Sequence, residues 1–118
     1  MAVKGAGRRI EEAVTAWEGV EAHPHRFGGR EFGLGSREIG HVHGDGLVDI
    51  PFPIKVRDEV IAAGLAEHHH ILPESGWVSV WLRQPGDVDK ALTLFRRSYE
   101  LALAQRNQRE SAIPGPQD

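Results

Sequence analysis

Arg37-Glu38-Ile39-Gly40-His41-Val42-His43-Gly44-Asp45-Gly46 decides how the chain must fold. Residues 37–43 have the alternation of a strand, so His41 and His43 point to one side. Asp45-Gly46 is a strong hairpin signal, because a two-residue type I′ turn needs positive φ at both positions. Counting outward from that turn sets His43 opposite Val48, His41 opposite Ile50 and Ile39 opposite Phe52. The histidines then share an apolar face with Ile39, Val48, Ile50 and Phe52. Glu38, Gly40, Val42, Asp49, Pro51 and Pro53 take the other face. A loop one residue different in length would instead set His41 opposite Asp49, since a slip of one residue exchanges the faces.

The remaining chain gives this hairpin its surroundings. The 118 residues suit one domain, and the net charge of -3 with dispersed Lys and Arg argues against a nucleic-acid binder. There is no cysteine, which excludes disulfides and thiolate metal sites. No apolar run approaches the ~20 residues that cross a membrane, and Met1–Arg9 lacks the apolar core of a secretory signal. A cytoplasmic protein is the expectation. The unusual feature is seven histidines, six of which fall at 23 and 25, 41 and 43, and 69 and 70, with His68 beside the last pair.

Residues 1–7 are small and Gly-rich and are expected to be flexible. Ile10, Ala13, Val14 and Trp17 recur at helical spacing and predict a helix over 8–17. His23 to Gly29 reads as a loop, and Arg30 to Leu34 as a short strand before the hairpin. Residues 55–65 read as a second helix that Gly64 stops. Residues 67–76 read as a loop. Trp77 to Arg83 alternates, with Val78, Val80 and Leu82 on one face and Trp77, Ser79 and Trp81 on the other. Asp87 caps a last helix whose stripe is Val88, Ala91, Leu92, Phe95, Tyr99, Ala102 and Leu103. The polar, proline-bearing stretch 106–118 is expected to be a disordered tail. The fold class is therefore α+β: one domain over 8–105, with three helices flanking a small antiparallel sheet.

Two imidazoles on one strand face suit a divalent metal if a third ligand arrives. His69 or His70 could supply it, or Asp49 in the alternative register; His41, His43 and His70 are the metal candidates. The same pair could act as metal-free acid and base, because histidine titrates near neutrality. It could equally be a hydrogen-bonded structural pair. Trp77 and Trp81 either form a platform for a flat ligand or fill a second core with Trp17. Gly35 followed by His41-x-His43 matches the opening of the cupin metal motif. Val48 stands where that motif needs a glutamate, and three helices leave too few residues for a cupin barrel.

Arg37-Glu38-Ile39-Gly40-His41-Val42-His43, the histidines near His69, Gly76-Trp77, and Arg83 through the helix bearing Ser98 resemble the luciferase domain of fungal luciferases and its short bacterial relatives. The resemblance covers roughly residues 25–103, including His25-Arg26-Phe27-Gly28-Gly29. The fungal enzymes oxidise a hydroxylated pyrone with molecular oxygen. The resemblance implies an oxidative enzyme, monooxygenase- or dioxygenase-like, acting on a flat phenolic or enolic small molecule. It makes His41, His43 and Glu38 the catalytic candidates. Trp77, Trp81, His69, His70 and Ile50 are the substrate-binding ones. The cofactor is none or a divalent metal. The chain lacks the membrane segment and insertions of the fungal proteins, so light emission is not expected. Trp77-Val78-Ser79-Val80 and the helix with Arg97-Ser98-Tyr99-Glu100-Leu101 also resemble the small bacterial YjbR proteins. That likeness implies a CyaY-like fold and a competing, non-enzymatic role as a binding module for a ligand or nucleic acid.

Overall fold

The computed structural model describes residues 2–25 and 28–112. Their order is α1 (Ala6–Thr15), β1 (Val20–Pro24), β2 (Arg30–Leu34), β3 (Arg37–His43), β4 (Leu47–Pro51), α2 (Ile54–Ala62), β5 (Glu67–His68), β6 (Trp77–Trp81) and α3 (Gly86–Ala112). The strands form one antiparallel sheet in the order β1-β2-β3-β4-β6-β5. The class is α+β.

Alternation divides this sheet into an apolar face and a polar one. Val42, Val48, Ile50, Val78 and Val80 are buried on the first. Phe95 of α3 crosses Phe32 edge-on there, with ring centroids 5.6 Å apart. Val88, Ala91, Leu94, Phe95, Tyr99 and Ala102 supply the helix side, and Ile10 and Val14 of α1 complete the core. Burying each such side chain contributes ~1.5–3 kcal/mol. The expected stripe of α3 is therefore largely right, with Leu94 and Ser98 buried and Leu92 and Leu103 only partly so.

Several boundaries differ from the reading of the sequence. Residues 2–7 are not a free end. Val3 N–H donates to the Asp45 carbonyl, and the Asp45 carboxylate accepts from the N–H groups of Gly5 and Gly7 at 3.0 and 2.9 Å. Two orphan donors at the start of α1, the N–H groups of Gly5 and Gly7, are thus satisfied by the hairpin turn, and the N-cap Gly5 itself supplies no side-chain cap. Those bonds hold the Asp45 carboxyl below its ordinary pKa. The stretch read as a loop after α1 contains β1, an edge strand whose alternation, Val20 and Ala22 inward with Glu21 and His23 exposed, is cut short by Pro24. The loop after α2 contains the two-residue β5. Helix α3 continues through residues 106–112, expected to belong to the tail; residues 113–118, like Arg26 and Phe27, lie outside the described residues.

Trp17 does not meet the other tryptophans. It packs on Tyr99, with centroids 5.4 Å apart, on the helical side of the molecule. The polar sheet face, with Trp77 and Trp81, is left to the loop that follows β5.

Candidate active site: an imidazole cluster around one carboxylate

The hairpin turn fixes the site. Gly44 adopts φ 57, so the connection takes three residues, Gly44, Asp45 and Gly46. His43 therefore pairs with Leu47 and His41 with Asp49. The register counted from a two-residue turn is corrected by one position. Asp49 joins the face of the histidines. Ile50, expected to bind substrate, instead lies fully buried on the helical face.

A second irregularity brings in Glu38. Phe32 pairs with Gly40 and Gly33 with Glu38, so Ile39 is the extra residue of a bulge. Residues three apart in a regular strand face opposite sides. The bulge turns Glu38 to the side of His41, and His41 Nδ1–H donates to Glu38 Oε2 at 2.7 Å. Gly40 permits this with φ 146. A Cβ there would stand 2.4 Å from the Phe95 ring.

Cross-strand pairing aligns His23, Glu31, His41, Asp49, Ser79 and Glu67 in one row across the polar face. Asp49, 1 % exposed in its side chain, is the hub. Its Oδ2 lies 3.3 Å from His41 Nε2, 3.1 Å from His43 Nε2, 3.2 Å from His70 Nε2 and 3.5 Å from His69 Nε2. Its Oδ1 accepts from Ser79 Oγ at 2.7 Å. Ser79 Oγ in turn accepts the backbone N–H of His70 at 3.2 Å, which ties the loop to β6. One carboxylate oxygen has about two acceptor sites, so the four nitrogens around Oδ2 cannot all be its hydrogen-bond donors.

The charges follow from this crowding. Burial would raise the Asp49 pKa, but hydrogen bonds from His41, Ser79 and His70, with the charge of His69, hold it well below the usual carboxylate range. Burial likewise opposes the charged form of His41. The hydrogen bonds to Asp49 and Glu38 and their charges overcome it and raise that pKa to about 9. His43 is lowered by burial and by His41, against the pull of Asp49. His69 is lowered by burial, with His70 and His41 adding to it and Asp49 opposing.

His69 and His70 come from the segment after β5, and that segment is held firmly. Arg57 Nη1–H donates to the carbonyls of Glu74 and Ser75 at 3.0 and 2.9 Å. Phe52 N–H donates to the Gly76 carbonyl at 3.0 Å. Above the cluster lies a cavity of about 500 Å³, with Trp77, Ile71 and Leu72 among its walls. The Trp77 ring stands 5.1 Å from that of His41. Trp81 is beside His70, with centroids 5.9 Å apart, but lines a separate recess near Glu67 and Arg83. His25, which was not among the candidates, stacks on His41 at 4.2 Å. Its traces in the sequence are its place in the histidine pair around Pro24 and at the head of the His25-to-Gly29 stretch of the family resemblance.

The family model for the luciferase domain matches residues 36–98, more than half of the chain. The chain belongs to the luciferase-domain family. No curated protein and no solved structure matches it. The part of this luciferase domain that matches the family model begins at the start of β3 and ends within α3. It contains Glu38, His41, His43, Asp49, His69, His70 and Trp77, and it leaves His25 outside.

Within the luciferase domain, two overlapping triads have metal-ligand composition: His41, His43 and Asp49, and Asp49, His69 and His70. The donor set is imidazole and carboxylate, which suits zinc, iron or manganese rather than a soft ion. Ligands ~2.0–2.1 Å from an ion and ~90–109° apart stand ~2.8–3.4 Å from each other. The separations of 3.1, 3.2 and 3.3 Å between Asp49 Oδ2 and His43, His70 and His41 fall within that range.

Proposed function

We propose that this luciferase domain is a small metal-dependent oxidative enzyme, of dioxygenase type, for a flat phenolic or enolic substrate. The observation that carries the reading is the convergence of imidazole nitrogens on Asp49 Oδ2 at ligand-to-ligand spacing, beneath a cavity with an indole wall. His41 and His43 through Nε2 and Asp49 through Oδ2 are the gathered triad that would hold one divalent first-row ion, and His70 Nε2, 3.2 Å from the same Asp49 oxygen, would add the fourth donor. Glu38 accepts the Nδ1–H hydrogen bond of His41, which keeps the proton on Nδ1 and would leave the Nε2 lone pair for the ion, the usual support for a ligating histidine.

Bound there, the ion supplies positive charge that acidifies a phenol or enol hydroxyl. The residues do the rest. Trp77 offers a face for the ring, and Ile71 and Leu72 close an apolar side. In the anion, the electron pair delocalised onto carbon forms the C–O bond as the O–O π bond breaks, and the terminal oxygen takes up the proton that the hydroxyl released, giving an organic hydroperoxide. Both oxygen atoms stay in the product, so no external reductant is consumed. The cavity is large enough for a single-ring substrate.

The test begins with elemental analysis of untagged protein prepared without chelators, then loading of chelated protein with Fe(II), Mn(II) or Zn(II). About one equivalent is expected, lost in His41→Ala, His43→Ala, His70→Ala and Asp49→Ala. Oxygen uptake with hydroxypyrones and catechols should require the loaded wild type. A protein that takes up none of the three ions, or uptake of oxygen unchanged in His41→Ala, would overturn the reading.

A further inference from the structure

The two neighbouring histidines after β5 are chemically different. His69 Nδ1 accepts the backbone N–H of Ile71 at 3.1 Å and of Leu72 at 2.9 Å. A ring nitrogen that accepts carries no proton, so the proton of neutral His69 sits on Nε2. A histidine that ligates through Nε2 needs the reverse, a bare Nε2 with the proton on Nδ1, and the Nδ1 of His69 is already taken by the two main-chain N–H groups. His69 Nε2 is also the most distant of the four nitrogens from Asp49 Oδ2, at 3.5 Å against 3.1–3.3 Å. That is too long and too crowded for a good hydrogen bond to an oxygen with about two acceptor sites.

From this geometry we infer that His69 is not a ligand but a fixed N–H donor, and that its Nε2–H hydrogen-bonds the oxygen of the substrate beside the ion. The side chain is 10 % exposed, and its ring lies 6.2 Å from that of Trp77, the proposed stacking surface. A phenolate or enolate oxygen lying between Trp77 and the cluster meets an N–H already oriented by two main-chain amides. Such a pre-aimed donor favours an anionic oxygen over a neutral ether or a hydrocarbon edge. The class selected is therefore rings with an oxygen able to lose its proton. O-methylated analogues of the same shape are rejected.

This inference rests on the oxidative reading for its substrate, but its first readouts need no turnover. In zinc-loaded protein, long-range ¹H–¹⁵N correlation should show His69 protonated at Nε2, whereas His41 carries its proton on Nδ1. His69→Ala should keep one equivalent of zinc while His70→Ala loses it. With the turned-over hydroxypyrone or catechol, His69→Ala should lower kcat about 100-fold, and His69→Gln, whose amide N–H lies near the Nε2 position, should recover at least tenfold. Loss of zinc in His69→Ala, or a proton on Nδ1 of His69, would overturn the assignment. So would a glutamine variant no better than alanine. If no compound is oxidised, the oxidative reading fails alone, and the tautomer and the zinc content still decide whether His69 is a ligand.

Discussion

Asp49 lies directly across the β3–β4 ladder from His41, and its Oδ2 is 3.3 Å from His41 Nε2. The pair binds opposite charges together in a site where the carboxylate is almost wholly buried. In metal-free protein this must appear in the pH dependence of folding. His41 is raised from 6.5 to about 9, so its contribution is complete below pH 6.5 and disappears as pH rises toward 9. With solvent screening allowed for, ~2–3 kcal/mol should be lost over that interval. His43 and His69 are lowered, so stability should also fall as pH drops below 6.5. Asp49 is lowered too, and its contribution is lost below the ordinary carboxylate pKa. Urea unfolding of chelated protein between pH 4 and 9 should therefore give a maximum near pH 6.5. His41→Ala should abolish the alkaline slope, and an unchanged slope would refute the pairing.

Glu38 acts on the ion only through His41. Glu38→Gln keeps the shape and loses the charge, and should weaken zinc binding about 10- to 100-fold while leaving one equivalent at saturation. Isothermal titration of chelated protein measures this directly. An unaltered affinity would remove Glu38 from the site.

Gly40 is required by packing as well as by backbone. Gly40→Ala would press a methyl group against Phe95 and the Asp49 carbonyl, at 2.4 and 3.0 Å, from a φ of 146. A loss of ~2–4 kcal/mol in urea unfolding is expected, above the usual cost of overpacking because strain adds to it. A change within 0.5 kcal/mol, the range of neutral surface substitutions, would mean that the bulge tolerates a side chain.

Arg57 spans from α2 to the Glu74 and Ser75 carbonyls and thereby fixes the segment carrying His69 and His70. Arg57→Ala should cost only ~1–2 kcal/mol globally. It should speed amide exchange in residues 69–76 and weaken zinc binding severalfold. Exchange no faster than in wild type would show that the segment is held by other contacts.

The sequence made the helices, β6 and the shared face of His41 and His43 legible because each has a clean period. Asp49 was harder. Gly44 and Gly46 flank Asp45, and turns of two or three residues are both compatible with that composition; only the positive φ of Gly44 chooses between them. The position of Glu38 depends on an unpaired Ile39, and a bulge leaves no periodic trace beyond a nearby glycine. His25 reaches the cluster from just beyond the end of β1, an edge strand whose Val20-Glu21-Ala22-His23 alternation is too short to stand out before Pro24. The site is therefore a product of two departures from regular strand geometry, while His41 and His43 were visible from strand spacing and His69 and His70 from their cluster.

The sheet edges have a different consequence. One edge strand, β5, has two residues, and the other, β1, ends at Pro24, which has no N–H to offer. Neither presents a long ladder to a neighbouring chain. Strand Asp49 stands on is interior, bonded on both sides by β3 and β6. Crowded, concentrated or partly heated protein should thus resist strand-to-strand aggregation, and the last amides to exchange should be those beneath the imidazole cluster.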